Sequence, residues 1–149
     1  MIKLKGFKFY YIDEDYLNYL KQFEDKINFF KDKYGQYIGV AVEYNNFYYF
    51  MPIIIPKPLI KKDSDDLFLI DNGNLGVVVI REMIPTPFRC VTELLPSLED
   101  NSYKDLLCKQ FDYINQHNLI LKNKINNFIS LNSGNNLSLL EEKCLKYKS

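Results

Sequence analysis

The stretch YYFMPIIIPK, residues 48–57, is the part of the sequence around which we expect the fold to be built. It begins as an aromatic run typical of a β-strand and ends in three isoleucines flanked by prolines. Because proline has no N–H to give to a sheet ladder, we predict a sharp turn between Pro52 and Pro56. Lys57 then lies at the rim of the sheet, and a cation at the end of so apolar a run indicates a chemical role.

Pairs of apolar runs in the first half of the chain are separated by residues that tolerate positive φ. The runs 37–44 and 47–50 flank Asn45-Asn46, and the runs 67–70 and 75–80 flank Asp71-Asn72-Gly73-Asn74. Asn, Asp and Gly adopt the backbone conformations that tight turns need. The sequence therefore predicts two β-hairpins, preceded by a first strand at residues 7–12.

Helical spacing marks other regions of the chain. Asp13 is suited to cap a helix whose apolar face holds Tyr16, Leu17, Leu20 and Phe23. From residue 103 onward apolar residues recur at helical spacing, with a break predicted at His117-Asn118, a joint at 133–136 and a short last helix at 137–145. We predict one α+β domain over residues 1–149, with strands mainly in 7–80 and helices mainly in 13–27 and 103–146.

The composition limits the class of protein more than it indicates an activity. The 19 Lys and Arg residues balance the 19 Asp and Glu residues, so only a local basic patch could bind nucleic acid. Three widely spaced cysteines and a single histidine form no usual zinc site, and we expect neither a metal nor a cofactor. The N-terminus lacks an apolar signal core and no run is long enough to span a bilayer, which favours a cytoplasmic protein without membrane contact.

Several short motifs, in their order and spacing, resemble the ToxN/AbiQ family of type III toxin endoribonucleases over about residues 7–131. The motifs are Phe9-Tyr10-Tyr11-Ile12, Tyr37-Ile38-Gly39-Val40, Pro52 to Lys57, Met83-Ile84-Pro85-Thr86-Pro87, and Tyr103, Leu106, Leu107 and Gln110. In the family the third motif is usually a strand that ends in Pro-Leu-Thr-Ser-Pro-Lys. This chain has Ile54 and Ile55 where the family has Thr and Ser, so the usual hydroxyl contacts to phosphate are absent.

The resemblance implies a fold, an activity and a partner. The fold would be a compact, strongly curved antiparallel sheet with flanking helices, similar to the Kid/MazF toxins. The activity would be that of a sequence-specific, metal-independent endoribonuclease that cuts cellular or phage transcripts and leaves 2′,3′-cyclic phosphate and 5′-hydroxyl ends. The partner would be a small RNA antitoxin of pseudoknot repeats, which the toxin cuts from a precursor and holds in a closed ring. Abortive infection as a phage defence would follow.

Lys57 is the first of the candidate catalytic residues. When the 2′-hydroxyl of RNA is the nucleophile, the protein positions the backbone, moves protons and stabilises extra charge on the phosphorane, and a rim lysine can do the last. The backbone of Ile55 would act at the position of the family's Ser, and Tyr37 would stack on a base. Other hydroxyls that could replace the missing ones are those of Thr86, Ser102 and Tyr37.

A basic and aromatic set of side chains is predicted to bind RNA around this site. The set comprises Lys31, Lys33, Tyr49, Lys61, Lys62, Arg81 and Thr86, with Arg89 as a further cation. His117, in a polar helix break, is interpreted as a surface residue rather than a general acid or base. Two alternatives stay open: a catalytically weak or inactive RNA-binding module, since Ile54 and Ile55 carry no hydroxyl, and a protein-interaction domain, which the neutral net charge permits.

Overall fold

The structure, a computed structural model, describes residues 6–32, 35–99, 101–132 and 136–148. The strands are β1 (Phe9–Ile12), β2 (Ile38–Tyr44), β3 (Phe47–Ile54), β4 (Leu67–Leu69), β5 (Val77–Val79), β6 (Ile84–Thr86) and β7 (Val91–Leu94). The helices are α1 (Glu14–Lys21), α2 (Asn101–Gln116), α3 (Asn118–Asn132) and α4 (Asn136–Lys146), and short 3₁₀ turns lie at Ile80–Glu82, Phe88–Cys90 and Pro96–Leu98.

The sheet is built around β3, and all of its pairings are antiparallel. The strands follow the order β4-β5-β3-β2-β1-β7, and β6 pairs with the same edge of β3 as β5 does. β6 pairs with residues 48–50 of β3, and β5 pairs with residues 53 and 54. The sheet curls into a half-barrel with helices against it, which confirms the predicted α+β class.

Both predicted hairpins are confirmed. Asn45 and Asn46, between β2 and β3, have φ angles of 50° and 67°. Asp71, Asn72 and Gly73, between β4 and β5, have φ angles of 52°, 56° and 90°. These are left-handed conformations, which Asn, Asp and Gly adopt at the least cost. The residue types alone therefore located the turns.

Helices cover both faces of the sheet, and side chains alternate between them along each strand. In β1, Phe9 and Tyr11 pack into a core that α2 and α3 complete, whereas Tyr10 and Ile12 pack toward α1 and α4. The first core takes Leu107, Ile114, Leu121 and Ile125 from α2 and α3, and the second takes Tyr16, Leu17, Leu20, Leu140 and Cys144 from α1 and α4. The sheet is thus the middle layer, and a site must form at its ends or edges.

The helices differ from their predicted bounds at one main point. The first helix ends at Lys21, not near residue 27, because the carbonyl of Leu20 accepts the N–H groups of both Phe23 and Glu24 and closes the last turn. Phe23 therefore lies outside α1. The break predicted at His117 is confirmed, as is the last helix, while residues 133–135 of the predicted joint lie outside the described residues.

One expectation about the strands is wrong. The sharp turn predicted between Pro52 and Pro56 is absent, because β3 continues to Ile54 and the chain bends at residues 57–58. Pro52 falls between the pairings of β6 and β5 on one edge of β3, so its missing N–H interrupts neither of those ladders. Two short strands follow the region 7–80 that was predicted to hold most of them: β6 contains Pro85 opposite Tyr49, and β7 pairs with β1 at the sheet's far edge.

Candidate functional site

The end of β3 carries the first group of predicted site residues. β2 pairs with β3 as far as Pro52, and β5 pairs with it as far as Ile54. Residues 55–57 therefore extend beyond both ladders, and the side chains of Ile55 and Lys57 are exposed. The backbone N–H groups of Ile55 and Lys57 lie outside the strand pairings, which leaves them near the surface as hydrogen-bond donors.

Close packing of two glycines holds this end of β3. A Cβ on Gly39 of β2 would lie 2.1 Å from the carbonyl oxygen of Met51, and a Cβ on Gly76 would lie 2.5 Å from that of Ile54. Gly76 also has a φ of +111°, which other residues rarely adopt. The neighbouring backbones thus approach β3 from both sides more closely than any side chain would allow, and they fix the position from which Lys57 projects.

A groove of about 390 Å³ lies along the end of β3. One wall is residues 53–57, which continue from β3 into the Lys57 rim. The other wall is Phe30, Lys31 and Asp32, from the segment between α1 and β2, and the ring of Phe30 is 60% exposed. The groove therefore combines apolar and aromatic surface with a lysine on each side. Such a surface suits single-stranded nucleic acid, which has both flat bases and charged phosphates.

Hydrogen bonds from two elements fix the second wall. Asp32 Oδ2 accepts a 2.7 Å hydrogen bond from the hydroxyl of Tyr103 in α2, and Asp32 Oδ1 accepts a 2.9 Å bond from the backbone N–H of Gln36. The Asp32 N–H in turn donates to the Gln36 carbonyl. Burial, and then the bond to Asp32, raise the pKa of Tyr103 far above its usual value, so Tyr103 stays a donor at any physiological pH.

Lys31 contacts a carboxylate and an aromatic ring. Its Nζ lies 3.0 Å from the carboxylate of Glu14, whose hydrogen bond raises the pKa of Lys31. The same Nζ lies 5.7 Å from the centre of the Tyr37 ring. Tyr37 is half-buried and lines an adjoining cavity of about 320 Å³ with Glu14, rather than the groove itself. Tyr37 therefore lies at the margin of the groove, beside the groove residue Lys31.

Two of the predicted RNA-binding residues are buried in the sheet. Tyr49 is 2% exposed, and its hydroxyl donates a 2.5 Å hydrogen bond to Glu141 of α4. Thr86 is 1% exposed, and its hydroxyl donates to the carbonyl of Ile84. Neither side chain lines the groove, and each is enclosed within the fold where β3 pairs with β6. Lys33 lies outside the described residues, as does the side chain of Ser102.

The remaining predicted cations that the structure describes are exposed on the surface, and none of them lines the groove. Lys61 and Lys62 are exposed on the segment that follows Lys57, and Lys61 donates a hydrogen bond to the side chain of Asn74. Arg81 is exposed and lies 3.7 Å from Asp66, but it lines a different cavity. Arg89 donates to the carbonyl of Tyr147, so that part of its hydrogen-bonding capacity serves the C-terminal segment.

His117 lies away from the groove. Its Nδ1 is 2.9 Å from the carbonyl of Tyr113, and the two rings stack with centroids 4.1 Å apart. It lines a separate cavity of about 270 Å³ with Lys61 and Lys124. The interpretation that His117 is not a catalyst at the Lys57 groove agrees with this placement.

Phe30 and Asp32 are the groove residues that the sequence did not indicate. Residues 28–35 carry no helical or alternating pattern, so the sequence predicts only a loop for this segment. The one available signal was the aromatic pair Phe29-Phe30 directly before Lys31, an arrangement that suits stacking and phosphate contact.

Among the residues that the structure describes, no cluster of three or more His, Cys, Asp or Glu could hold a metal ion. Over the same residues, no helix has the length and apolar character needed to cross a membrane.

The chain is a small α+β protein, with a curled antiparallel sheet between two layers of helices and a groove that has a lysine on each side. The model of the family "Toxin ToxN, type III toxin-antitoxin system" matches residues 8–149. The chain therefore belongs to the ToxN toxin family of type III toxin–antitoxin systems, and the predicted family is confirmed.

Named relatives and solved structures agree with this assignment. The chain is 32% identical to Endoribonuclease ToxN of Pectobacterium atrosepticum over 91% of each chain. It is 29% identical to Endoribonuclease AbiQ of Lactococcus lactis subsp. lactis, over 78% of this chain and 70% of the relative. A solved type III toxin that a non-coding RNA pseudoknot inhibits has the same fold, with a TM-score of 0.82 at 24% identity over 97% of this chain and 99% of that one. The prediction of an endoribonuclease toxin is thus confirmed at the level of the family.

Proposed function

We propose that the groove beyond β3 cuts RNA by internal transesterification. The 2′-hydroxyl oxygen of one ribose attacks the adjacent phosphorus, and the new bond from O2′ to phosphorus forms as the bond to O5′ breaks. The hydroxyl proton passes to a base, and a proton passes to the departing O5′. The products carry a 2′,3′-cyclic phosphate and a 5′-hydroxyl, and the reaction needs no metal ion.

The position of Lys57 is the observation that supports this proposal most strongly. Lys57 projects from the rim of the groove, beyond the last pairs of β3, in a chain of an endoribonuclease toxin family. Among the described residues no carboxylate forms an ion pair with Lys57, so its charge is available to a phosphate. Its role is to stabilise the extra negative charge that the phosphorane acquires in the transition state.

Backbone donors take the place of the absent hydroxyls at Ile54 and Ile55. The N–H groups of Ile55 and Lys57 lie beyond the ladder of β3 and flank Pro56, which has none. Removing one such donor from a comparable site costs about 3 kcal/mol of transition-state stabilisation and leaves substantial catalysis. A chain with two isoleucines at these positions can therefore remain an active, if slower, ribonuclease.

RNA binding uses charges and rings on both sides of the groove. The proposed phosphate contacts are Lys31, Lys57, Lys61, Lys62 and Arg81, together with Lys33. Phe30, exposed on the second wall, and Tyr37, at its margin, stack on bases. Tyr49 and Thr86 leave the proposed set because both are buried. The pairing of Lys31 with Glu14 keeps the attraction moderate, since part of its charge is compensated.

The partner is a small RNA antitoxin folded as a pseudoknot. Support comes from the solved relatives, one of which is inhibited by a non-coding RNA pseudoknot and another of which belongs to an antiviral system regulated by a processed non-coding RNA. We propose that this chain cuts its antitoxin from a repeated precursor and stays bound to it in a closed ring. Cellular or phage transcripts are the other substrates, and their cleavage provides abortive infection.

The test is cleavage of the cognate repeat precursor by the purified full-length chain in excess EDTA. The expected products have cyclic phosphate ends, and a single 2′-deoxyribose at the cut removes cleavage there because the nucleophile is missing. Cutting of that deoxy substrate would contradict the mechanism. Tight binding of the precursor without any cutting would instead favour the RNA-binding module, for which the two isoleucines are the supporting observation.

A further inference from the structure

A second cavity, of about 380 Å³, is lined partly by the segment that leads into the groove wall, through Ile27 and Phe29. Its lining is largely apolar and includes Phe29, Met83 and Phe128. Charged side chains line it as well, among them Arg81 and Glu82. An apolar pocket with a few polar groups is the usual form of a small-molecule or base-binding site.

Glu82 is the unusual member of this cavity. It ends the 3₁₀ turn Ile80–Glu82 and is half-buried, and burial raises the pKa of its carboxyl although Arg81 acts in the opposite direction. Arg81 forms its ion pair with Asp66 instead, at 3.7 Å. Over the described part of the chain, the carboxylate of Glu82 has neither a hydrogen bond nor an ion pair. Its oxygens are partly desolvated but still accessible, since no fully buried side-chain oxygen among the described residues lacks a hydrogen-bond partner, and they are acceptors open to a ligand.

The cavity lies within reach of an RNA strand in the groove. Ile84, in the cavity, pairs with Phe50 of β3, and the groove begins at Ile53 on the same strand. From Phe50 to Ile53 the strand rises about 10 Å, at about 3.3 Å per residue. The segment 27–32 joins the two sites as well, because its first half lines the cavity and its second half lines the groove. A few nucleotides of single-stranded RNA span that distance.

We propose that this cavity holds one guanine of the RNA that occupies the groove, and that the Glu82 carboxylate recognises its Watson–Crick edge. Guanine presents two adjacent donors on that edge, N1–H and the 2-amino group, which match the two oxygens of a carboxylate. Adenine, cytosine and uracil each place an acceptor beside their donor, so they can satisfy only one oxygen. The apolar part of the lining receives the face of the base, and Arg81, which also lines the cavity, is the cation available to the phosphate. The inference rests on the proposed function for its ligand.

Binding of single nucleotides tests the cavity without any cleavage assay. The probes are GMP, IMP, AMP, CMP and UMP, added to the full-length protein with 13C-labelled methionine methyl groups. Met83 lines the cavity and reports its occupancy, whereas Met51 is buried within β3 and reports that the fold is intact. We expect GMP to shift the Met83 signal at concentrations about tenfold or more below those of the other nucleotides, as a bidentate contact gives. IMP, which lacks only the 2-amino group, should lose that advantage.

Two variants separate recognition by Glu82 from a general effect of charge. Glu82→Gln replaces one acceptor oxygen by a donor and should make GMP bind no better than IMP. Glu93→Gln removes the same charge from β7, at the far edge of the sheet, and should leave the GMP preference unchanged. The proposal is overturned if no nucleotide shifts Met83, or if GMP has no advantage over IMP in the wild-type protein. It is equally overturned if Glu82→Gln, with an unchanged Met51 signal, keeps that advantage.

The outcome of this nucleotide-binding test can be separated from the outcome of the RNA cleavage test. A protein that cuts RNA while its cavity binds no guanine contradicts this inference alone. A protein that prefers GMP through Glu82 but does not cut its precursor contradicts the ribonuclease and leaves the base site in place.

Discussion

The hydroxyl of Tyr103 donates a 2.7 Å hydrogen bond to Asp32 Oδ2, and this bond joins α2 to the groove wall 71 residues earlier in the chain. Asp32 lies next to Lys31, so the position of the wall depends on α2, although no described residue of that helix lines the groove. Tyr103 is buried and cannot touch RNA itself. It is therefore a positioning residue, and the proposed site depends on it only through Asp32.

Tyr103→Phe should weaken RNA cleavage severalfold without removing it. The variant keeps the ring in the core but leaves Asp32 with one fewer donor, at a cost of about 1.5–3 kcal/mol for a hydrogen bond to a charged group. Tyr113→Phe, on the same helix, is the matched control, since its ring packs on His117 away from the groove. The rate of cleavage at saturating RNA and urea unfolding would be measured for both. Equal rates for the two variants would show that the bond does not position the wall.

The buried tyrosines predict how stability responds to alkaline pH. Burial, together with the hydrogen bonds to Asp32 and Glu141, raises the pKa values of Tyr103 and Tyr49 above the ordinary value of about 10. Above that pH the unfolded chain loses these protons while the folded chain keeps them, so the free energy of unfolding should fall as pH rises. Tyr49→Phe should make the decline shallower, as should Tyr103→Phe. Urea titrations between pH 8 and pH 11, a range of about three units around the ordinary value, would show it.

Gly76→Ala should displace the end of β3. The new Cβ would meet the carbonyl of Ile54 at 2.5 Å, in a backbone conformation with φ of +111°. We expect a loss of at least about 2–3 kcal/mol of stability, or failure to fold, because backbone on both sides resists adjustment. Gly35→Ala is the control: Gly35 also has positive φ, +77°, but nothing lies within 4 Å of a Cβ there. If both variants unfold at the same urea concentration, close packing at Gly76 does not hold the strand.

The zero net charge predicts a local and salt-sensitive contact with RNA. Affinity must come from segregated cations such as Lys57, Lys61 and Lys62, and each phosphate contact adds to the salt dependence. Stacking on Phe30 and Tyr37 is not screened by salt, so binding should weaken with added salt without vanishing. Light scattering on the copurified complex at two salt concentrations should show equal numbers of protein and RNA in an assembly much larger than one pair. An RNA-free monomer at both concentrations would favour the protein-interaction alternative.

The sequence located those features that depend on neighbouring residues. Asn45-Asn46 specifies a tight turn by its own backbone preference, and the break at His117 follows from helical spacing alone. β7 was missed because its middle residues, Thr92 and Glu93, are polar and exposed, and only pairing with β1 makes them a strand.

The groove wall was missed for a related reason. Residues 30–32 have no periodic pattern, and their place is set by Tyr103, which a local reading cannot connect to them. Pro52 misled in the opposite sense, because a proline is tolerated where β3 changes partners, and that change is a property of the whole sheet. The Lys57 rim was predicted from a run of ten residues, whereas the second wall of the groove could be located only from the three-dimensional structure.

Cleavage of the cognate precursor RNA by Lys57→Ala tests the central claim most directly. Lys8→Ala is the matched control, because Lys8 is an exposed lysine that lies 3.6 Å from Glu93 at the other side of the sheet. Both variants should fold as the parent does, since each removes an exposed side chain. We expect Lys57→Ala to lose cleavage in EDTA by about a hundredfold or more, as removal of a group that stabilises the transition state does, while Lys8→Ala cuts at the parental rate. A folded Lys57→Ala protein that cuts the precursor as fast as Lys8→Ala would contradict the proposed role of Lys57.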